Sequence, residues 1–149
     1  MHNALIPNLM VNDVNETAIF YQSVLSFKLV VAVVNFELEV QDGNIITELS
    51  AGKKLDWANM KFDPENAASA EFMFQSRRSM EAELPTLAGV DILASQTLYM
   101  RTDDADAHFN HLKDQVEVIQ PPVTRFYGMR EWYMKDINGY ILCFGQELG

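Results

Sequence analysis

Few residues in this sequence are of the types that ordinarily carry out chemistry. His108 and His111 stand three residues apart, a spacing that can bring two imidazoles together on a helix to bind zinc. They follow Asp104 in a polar stretch, so we interpret both as solvated surface residues. Cys143 lies between two apolar residues, with no histidine nearby in sequence, which favours a buried, inert thiol. The sequence contains neither a glycine-rich phosphate loop nor a Gly-x-Ser-x-Gly nucleophile elbow.

The C-terminal stretch 128–146 is the clearest structural signal in the chain. Two alternating apolar runs flank Asn138-Gly139, a strong hairpin signal because both residues tolerate the positive φ of a tight primed turn. Successive side chains of a strand point to opposite faces of the sheet. Pairs that share a face are Trp132 with Met134, Glu131 with Tyr133, Leu142 with Phe144, and Ile141 with Cys143.

Two parts of the chain repeat one pattern, in which an extended run is followed by an aspartate and a helical stripe of apolar residues. Asp13 and Asp104 are the predicted N-caps. The first helix is predicted over 13–26. The stripes are Val14, Ala18, Tyr21 and Leu25 in the first helix and Ala105, Phe109, Leu112 and Val116 in the second, each 91 residues after its counterpart. This constant offset predicts an internal repeat.

Each half therefore reads as β-α-β-β-β. The predicted strands are 5–11, 27–34, 55–62 and 70–76 in the first half. In the second half they are 96–102 and the two hairpin strands, with the stretch 117–120, a break and the stretch 123–127 between them. Pro121-Pro122 is interpreted as a break between strands, and a short helix is expected at 78–84. Residues 36–40 alternate like a strand and 42–44 resemble a turn. The stretch 45–49 is equally compatible with a continued hairpin and with a short helix.

These elements predict an α+β fold built from two tandem βαβββ modules in one domain, 1–149. Module 1 spans about 1–76, a connection spans 77–94, and module 2 spans about 95–149. In each module the helix covers one face of the sheet and the other face must be buried against something. Two modules side by side are expected to form a curved, half-barrel sheet around a cleft.

The sequence resembles the glyoxalase/bleomycin-resistance/dioxygenase (vicinal oxygen chelate) superfamily over essentially its full length. The resemblance rests on Val11-Asn-Asp-Val-x-x-x-x-x-Phe-Tyr-x-x-Val-Leu-x-Phe27 and on Gly-Met-Arg-Glu, Asp-x-Asn-Gly and Phe-Gly-Gln within 128–146. It implies the βαβββ repeat. Its enzymes hold a divalent metal in the cleft with side chains from the first and last strands of each half, usually His, Glu or Gln.

Those four metal positions carry unsuitable residues in this chain. The resemblance places them at Ile6, Met73, Thr97 and Cys143. A shift of register by one or two residues offers only Asn8, Glu71 or Gln75, which do not complete a four-ligand set. We therefore predict no metal and no other cofactor.

The resemblance also indicates which aromatic residues line the cleft, namely Trp57, Tyr99, Phe126, Tyr127, Trp132 and Tyr133. Aromatic rings suit flat or apolar ligands, and acidic groups hold cations or accept hydrogen bonds. A charged residue in a strand is expected to face the cleft or to pair with a carboxylate, because an unpaired buried charge is costly. The predicted ligand-binding residues are Trp57, Tyr99, Arg101, Phe126, Tyr127, Glu131 and Trp132.

The composition narrows the class of partner. Eleven basic and 21 acidic residues give a net charge of −10, which argues against nucleic-acid binding and is compatible with a cationic ligand. No apolar run is long enough to span a membrane, and the N-terminus does not read as a signal peptide. The single cysteine fits a reducing cytoplasm.

These observations predict a metal-free small-molecule binding protein resembling bleomycin-resistance proteins. Those are acidic homodimers that sequester a bulky cationic antibiotic in grooves at the dimer interface, which implies a role in antibiotic resistance. A homodimer is expected here too, because pairing two chains buries open sheet edges. The alternative is an enzyme, either a metal-dependent glyoxalase-like lyase or isomerase or a ring-cleaving dioxygenase. A third hypothesis is that the protein is a small-molecule sensor or a subunit of a larger assembly.

Overall fold

Each half of the chain folds around its own β-sheet. The computed structural model describes residues 4–34, 37–40, 52, 54–92 and 96–149. The chain divides into two compact units, Met1–Asp91 and Ile92–Gly149. No helix among the described residues is long and apolar enough to cross a membrane.

Among the described residues, the first unit holds a five-stranded sheet with strand order β1-β5-β4-β2-β3. Strand β1 is parallel to β5, and the other neighbours are antiparallel. A short 3₁₀ helix, Pro85–Leu87, follows the last α-helix of this unit. Its elements are β1 (Asn8–Val11), α1 (Val14–Ser23), β2 (Lys28–Val34), β3 (Glu37–Val40), β4 (Leu55–Lys61), β5 (Glu71–Ser76) and α2 (Arg77–Glu83).

The second unit repeats this arrangement with one strand fewer. Its elements are β6 (Thr97–Arg101), α3 (Ala105–Leu112), β7 (Glu117–Thr124), β8 (Met129–Lys135) and β9 (Ile141–Glu147). The strand order is β6-β9-β8-β7, again with the first and last strands parallel. If the edge strand β3 is left out, the two sheets have the same topology, which confirms the predicted internal repeat.

The two predicted aspartate caps open the helices of the repeat. Asp13 Oδ1 accepts a hydrogen bond from the backbone nitrogen of Glu16 at 2.9 Å. Asp104 Oδ1 accepts one from the backbone nitrogen of Ala107 at 2.9 Å. Both caps satisfy a backbone donor that the first turn of a helix leaves without an intrahelical partner. The prediction of equivalent helix starts is confirmed.

Helix α1 ends three residues before its predicted end at position 26. Ser26 has a φ of 61°, a left-handed conformation that a helix does not tolerate. The chain reverses here, and the backbone nitrogen of Phe27 bonds to the carbonyl oxygen of Tyr21 at 3.0 Å. Leu25 remains buried although it lies beyond the helix, so the predicted apolar stripe is confirmed.

Aromatic rings fill the core beneath each helix. In the first unit the fully buried Tyr21 packs against Phe74, with ring centroids 4.6 Å apart, and against Phe72 at 5.6 Å. In the second unit Trp132 stacks on Phe144 with centroids 5.0 Å apart. Helix α3 closes over this pair. Each helix therefore covers one face of its own sheet.

The predicted break at Pro121-Pro122 is wrong. Strand β7 runs through both prolines from Glu117 to Thr124. It is an edge strand of its sheet, where a residue without an N–H can be accommodated because one side needs no ladder partner. The pairing with β8 is irregular on both sides of Gln120, which is how the strand absorbs the prolines.

The C-terminal hairpin is confirmed, but its turn differs from the predicted one. Only Gly139 in this turn has a positive φ, of 90°, so the turn is not of the primed type that needs positive φ at Asn138 as well. Asp136 Oδ1 instead accepts hydrogen bonds from the backbone nitrogens of Asn138 and Tyr140, each at 2.9 Å. These side-chain bonds add to two backbone bonds of the turn, from the Gly139 nitrogen to the Asp136 oxygen at 3.1 Å and from the Asp136 nitrogen to the Tyr140 oxygen at 2.9 Å.

The other predicted bounds of single strands lie within one residue of the structure, with two exceptions. Strand β1 begins at Asn8 and not at position 5, and β7 ends at Thr124 and not at position 127. Helix α2 begins one residue earlier than expected, and β3 corresponds to the alternating stretch 36–40. The predicted turn at 42–44 and the stretch 45–49 lie outside the described residues.

Candidate functional site

The second sheet has one face covered by helix α3 and an opposite face, which we call the helix-free face. Trp132 points toward the helix, where its ring centroid lies 5.4 Å from that of Phe109. Strand alternation therefore turns Glu131 and Tyr133 to the helix-free face. The strand register brings Tyr99 of β6 beside Cys143 of β9, and Cys143 beside Tyr133 of β8.

Four side chains converge on the carboxylate of Glu131, which is only 2% exposed. The Tyr99 hydroxyl donates to Oε1 at 2.9 Å. The Tyr127 and Tyr133 hydroxyls donate to Oε2 at 2.7 Å and 3.2 Å. Arg125 Nε donates to the same oxygen at 3.3 Å. We call these five residues the Glu131 cluster.

Glycine at position 145 makes room for the Tyr99 side chain. A Cβ added to Gly145 would overlap the hydroxyl and ring of Tyr99. Gly145 is also the β9 residue that pairs with Glu131. The tyrosine ring therefore crosses the strand where a side chain is missing and reaches the carboxylate on the next strand.

A tight turn between β7 and β8 brings Arg125 and Tyr127 to the same carboxylate. The backbone nitrogen of Arg125 bonds to the Met129 carbonyl oxygen at 2.7 Å, and that of Gly128 bonds to the Arg125 carbonyl oxygen at 3.1 Å. Gly128 has a φ of 80°, which favours glycine. Arg125 Nη2 also donates to Gln120 Oε1 at 2.8 Å, which fixes the guanidinium.

Within the cluster, Glu131 carries a negative charge, Arg125 carries a positive charge, and the three tyrosines are neutral. Burial alone would raise the pKa of Glu131, but the hydrogen bonds from the three tyrosines and from Arg125 hold that pKa below its ordinary value. Burial and the bond to Glu131 raise the pKa of Tyr99 to about 12. The pKa of Tyr133 is raised as well, first by burial. At neutral pH Glu131 is thus an anion and the tyrosines are neutral donors, an arrangement suited to binding rather than to proton transfer.

Cys143 lies beneath this network and is fully buried, as predicted. Burial raises the pKa of its thiol to about 11, with a further contribution from the charge of Glu131. Because the thiolate is the nucleophilic form, this cysteine is a poor nucleophile at neutral pH.

Exposed aromatic rings surround the cluster. Tyr99 is 45% exposed although its hydroxyl is engaged, and Tyr127 is also exposed. Phe126, in the turn between β7 and β8, is fully exposed. Its ring meets that of Tyr127 edge to face with centroids 5.1 Å apart. The guanidinium of Arg125 lies over the Tyr133 ring, 5.8 Å from its centroid.

The structure brings together some of the predicted ligand-binding residues. Tyr99, Tyr127 and Glu131 form the cluster, and Phe126 adjoins it. Arg101 shares the helix-free face with Tyr99 by alternation, but its side chain forms an exposed ion pair with Glu147 at 3.3 Å. The pairing with a carboxylate was one of the two outcomes expected for a charged strand residue.

The other two predicted residues lie elsewhere. Trp132 is a core residue on the helix side of the sheet and is fully buried, which corrects its assignment to the site. The alternation that points Glu131 to the helix-free face necessarily points its neighbour Trp132 away from it. Trp57 belongs to the first unit, where the register places it on one sheet face with Asn59 and Gln75.

Sequence reasoning missed Arg125 and Gln120. It placed Tyr133 among the aromatic residues that line the cleft, but not in the predicted ligand-binding set. Tyr133 lies two residues from Glu131 and so shares its face, a signal that was available. Arg125 reaches the carboxylate only through the turn closed by Gly128, and Gln120 only through the irregular pairing of β7. Neither has a sequence signal as simple as alternation.

The surface assignment of both histidines holds for His111 only. His108 is largely buried, with its ring centroid 4.3 Å from that of Phe144 and 5.4 Å from that of Trp132. Burial and then the neighbouring His111 lower the pKa of His108. His108 is therefore part of the packing of α3 against the sheet.

Comparison with known proteins identifies the family. The model of the Glyoxalase/Bleomycin resistance protein/Dioxygenase superfamily matches residues 4–144. The chain belongs to this superfamily. No curated protein matches the chain in sequence.

Solved structures share the fold of this chain at low sequence identity. A glyoxalase/bleomycin resistance protein/dioxygenase from Nocardioides superposes with a TM-score of 0.66 at 13% identity, covering 99% of this chain and 86% of that one. A family enzyme from Burkholderia phytofirmans gives 0.65 at 12% identity and 95% coverage of both chains. A protein of unknown function from Agrobacterium tumefaciens gives 0.68 at 19% identity, covering 99% and 96%. The predicted α+β glyoxalase/bleomycin-resistance fold is confirmed.

The residues at the superfamily's metal positions do not fit a divalent metal. Ile6 has no donor atom and Met73 offers only a thioether. Thr97 offers a neutral hydroxyl, and Cys143 is a buried thiol with a raised pKa. Across the part of the chain that the structure describes, no three His, Cys, Asp or Glu side chains are grouped to hold an ion. Oxygen and nitrogen ligands of the usual kind are missing from these positions.

Proposed function

We propose that this chain is a small-molecule binding protein whose ligand lies on the helix-free face of the second unit, against the Glu131 cluster. The observation that carries the proposal is the combination of a rigid, hydrogen-bonded carboxylate with exposed aromatic rings around it. Tyr99, Phe126 and Tyr127 supply the rings. Such a mixture of apolar surface and a few fixed polar groups is typical of ligand sites.

The ligand that fits best is flat, aromatic and cationic. Exposed ring faces bind aromatic groups by stacking and cations through the ring quadrupole. The net charge of −10 attracts cations to the protein as a whole. The Glu131 cluster contributes fixed polar groups rather than net charge, because Arg125 balances the carboxylate.

We propose further that binding occurs without metal chemistry. The support is the donor set at the superfamily's metal positions, which lacks the oxygen and nitrogen ligands such a centre needs. Sequestration requires only affinity, so no reactive group is necessary. A lyase, isomerase or dioxygenase would require a metal centre that the residues at these positions do not supply.

The first experiment is metal analysis of protein purified without chelator, followed by thermal denaturation in the presence of Zn²⁺, Ni²⁺, Mn²⁺ and Fe²⁺. We expect no stoichiometric metal and no specific stabilisation. Stoichiometric metal, or a stabilisation that disappears on substitution of Glu71, would overturn the metal-free proposal and favour the enzyme.

The second experiment is calorimetric titration with bleomycin and with the flat aromatic cation proflavine. Phe126→Ala removes a fully exposed ring and so should leave the stability unchanged while weakening binding about tenfold. Ile119→Ala is the matched control, because Ile119 is also an exposed apolar residue of this unit. Equal binding by wild type and Phe126→Ala, or no binding of either probe, would contradict the proposed site.

We also propose that the protein is a homodimer in the cytoplasm. Strands β1 and β6 each end the strand order of their sheet, and such edges favour pairing with another chain or cover by it. The single cysteine, Cys143, needs no oxidising compartment. Sedimentation analysis at several protein concentrations tests the dimer, and a monomer at all concentrations would refute it.

A further inference from the structure

A surface groove of about 740 Å³ lies in the first unit, among residues that play no part in the Glu131 cluster. It forms where strands β1 and β5 end, β4 begins, and helices α1 and α2 start. Its lining is strongly charged and includes both signs. The charged residues of the lining are Asp13, Lys54, Asp56, Arg77, Arg78 and Glu81.

Asp56 is the buried carboxylate of this groove, with 4% of its surface exposed. Its Oδ1 accepts hydrogen bonds from Arg78 Nη2 at 2.7 Å and from Ser76 Oγ at 3.3 Å. Its Oδ2 is buried and has no hydrogen-bond partner among the residues that the structure describes. A buried acceptor without a partner is costly and uncommon in native proteins. One of the two carboxylate oxygens of Asp56 therefore accepts no hydrogen bond from the described residues.

Arg78 bonds Asp56 through only one of its guanidinium nitrogens. A guanidinium can bond both oxygens of a carboxylate with two parallel N–H groups, yet only Nη2 does so here. The Arg78 side chain is 71% exposed, so its free end can move into solvent at little cost in packing. The position of Arg78 marks a route from solvent to the buried carboxylate.

The other two cations of the groove are engaged with different carboxylates. Lys54 pairs with Asp13 at 2.9 Å, and Arg77 pairs with Glu81 at 3.1 Å. Arg77 also donates to the carbonyl oxygen of Val90 at 2.8 Å. Asp56 thus depends on the exposed Arg78 alone for a cationic partner in the groove lining.

We propose that this groove is a second binding site and takes a small organic cation with two parallel N–H donors, an amidinium or guanidinium group. The ligand displaces Arg78 and bonds both oxygens of Asp56, so that Oδ2 gains the partner it lacks. A simple ammonium reaches one oxygen at a time and is a weaker ligand. A metal ion does not fit, since no three acidic, His or Cys side chains are grouped in the described part of the chain.

The test is titration of the intact protein with benzamidine and agmatine, and with n-butylamine as the ammonium comparison, followed by calorimetry and by backbone amide chemical shifts. We expect saturable shifts around Asp56 with benzamidine and agmatine, and binding of n-butylamine about tenfold weaker or absent. Asp56→Asn should abolish the shifts, because it removes the charge and one acceptor.

Arg78→Ala keeps the proposal testable if Asp56→Asn fails to fold. It removes the competitor for Asp56, so benzamidine should bind about tenfold more tightly than to wild type. Arg77→Ala is the matched control, because it makes the same charge change in the same groove but leaves Arg78 on Asp56. No saturable binding, equal affinity in Asp56→Asn, weaker binding in Arg78→Ala, or equal tightening in Arg77→Ala would each overturn the proposal.

Discussion

The ring of Tyr99 lies across the backbone of Gly145, so that a side chain from one strand passes over its neighbour and bonds a carboxylate on the next strand. Tyr99 belongs to β6 and Gly145 to β9, while the carboxylate that Tyr99 reaches belongs to β8. The missing side chain at Gly145 is therefore what allows the hydroxyl to lie 2.9 Å from Glu131 Oε1. The geometry of the candidate site depends on a residue with no functional group.

Gly145→Ala should push Tyr99 away from Glu131 and destabilise the protein by about 1–3 kcal/mol, the usual cost of overpacking. Gly145 does not have a positive φ, so alanine strains nothing in the backbone. In the background of Tyr99→Ala the same substitution should be nearly neutral. A double-mutant cycle measured by urea denaturation gives this coupling, and additive effects would contradict the close approach.

Glu131→Gln should destabilise the protein by about 1–3 kcal/mol at pH 7, because an amide has only one acceptor for the four donors that now surround it. The folded protein lowers the pKa of Glu131 below its ordinary value of 4.5. The stabilisation from its charge is thus present above pH 4.5 and is lost as the pH falls through the folded pKa. The stability gap between wild type and variant should narrow in acid. A gap that is independent of pH would contradict the assigned ionisation.

Cys143 should resist thiol reagents in the native protein. With a thiol pKa of about 11, about one molecule in ten thousand carries the thiolate at pH 7, and burial blocks access. Labelling with a disulfide reagent should therefore be slow in buffer and fast in denaturant. Rapid stoichiometric labelling of folded protein would show that the thiol is accessible.

His108 should make the protein less stable in mildly acidic solution. Its pKa is lowered in the folded state from 6.5, so the unfolded chain binds the proton first. Stability from this residue is present above pH 6.5 and declines as the pH falls below it. In urea denaturation, His108→Leu should lose less stability than wild type as the pH falls below 6.5. His111→Leu should keep most of the wild-type loss, because burial is the first cause of the lowered pKa of His108 and His111 only the second. Identical pH profiles of wild type and His108→Leu would contradict the burial.

The repeat is what made the fold predictable from sequence. Asp13 and Asp104 cap equivalent helices, and the apolar positions 91 residues apart lie under those helices. Local chemistry specifies both features, because a cap and a stripe act within a few turns of chain. The failures also have local causes: the edge position of β7 tolerates Pro121 and Pro122, and Asp136 reshapes the hairpin turn.

The candidate site was only partly predictable. Alternation separates Glu131 from Trp132, so treating both as ligand contacts conflicted with the strand pattern itself. Arg125 joins the cluster through a turn, and Tyr99 joins it through the gap at Gly145. Contacts of this kind depend on strand register, which a single sequence does not specify.

Under the proposed function, the pairing of Glu131 with Arg125 separates the charge that attracts a ligand from the groups that bind it. The cluster is locally neutral, whereas the chain as a whole carries −10. Long-range attraction is screened by salt, while contacts within a partly buried network are screened much less. Rising ionic strength should therefore slow the association of a cationic ligand and leave its dissociation rate nearly unchanged. Under the proposed function, the tyrosines and the arginine around one carboxylate should set the residence time of the ligand, and the rest of the surface should set its rate of association.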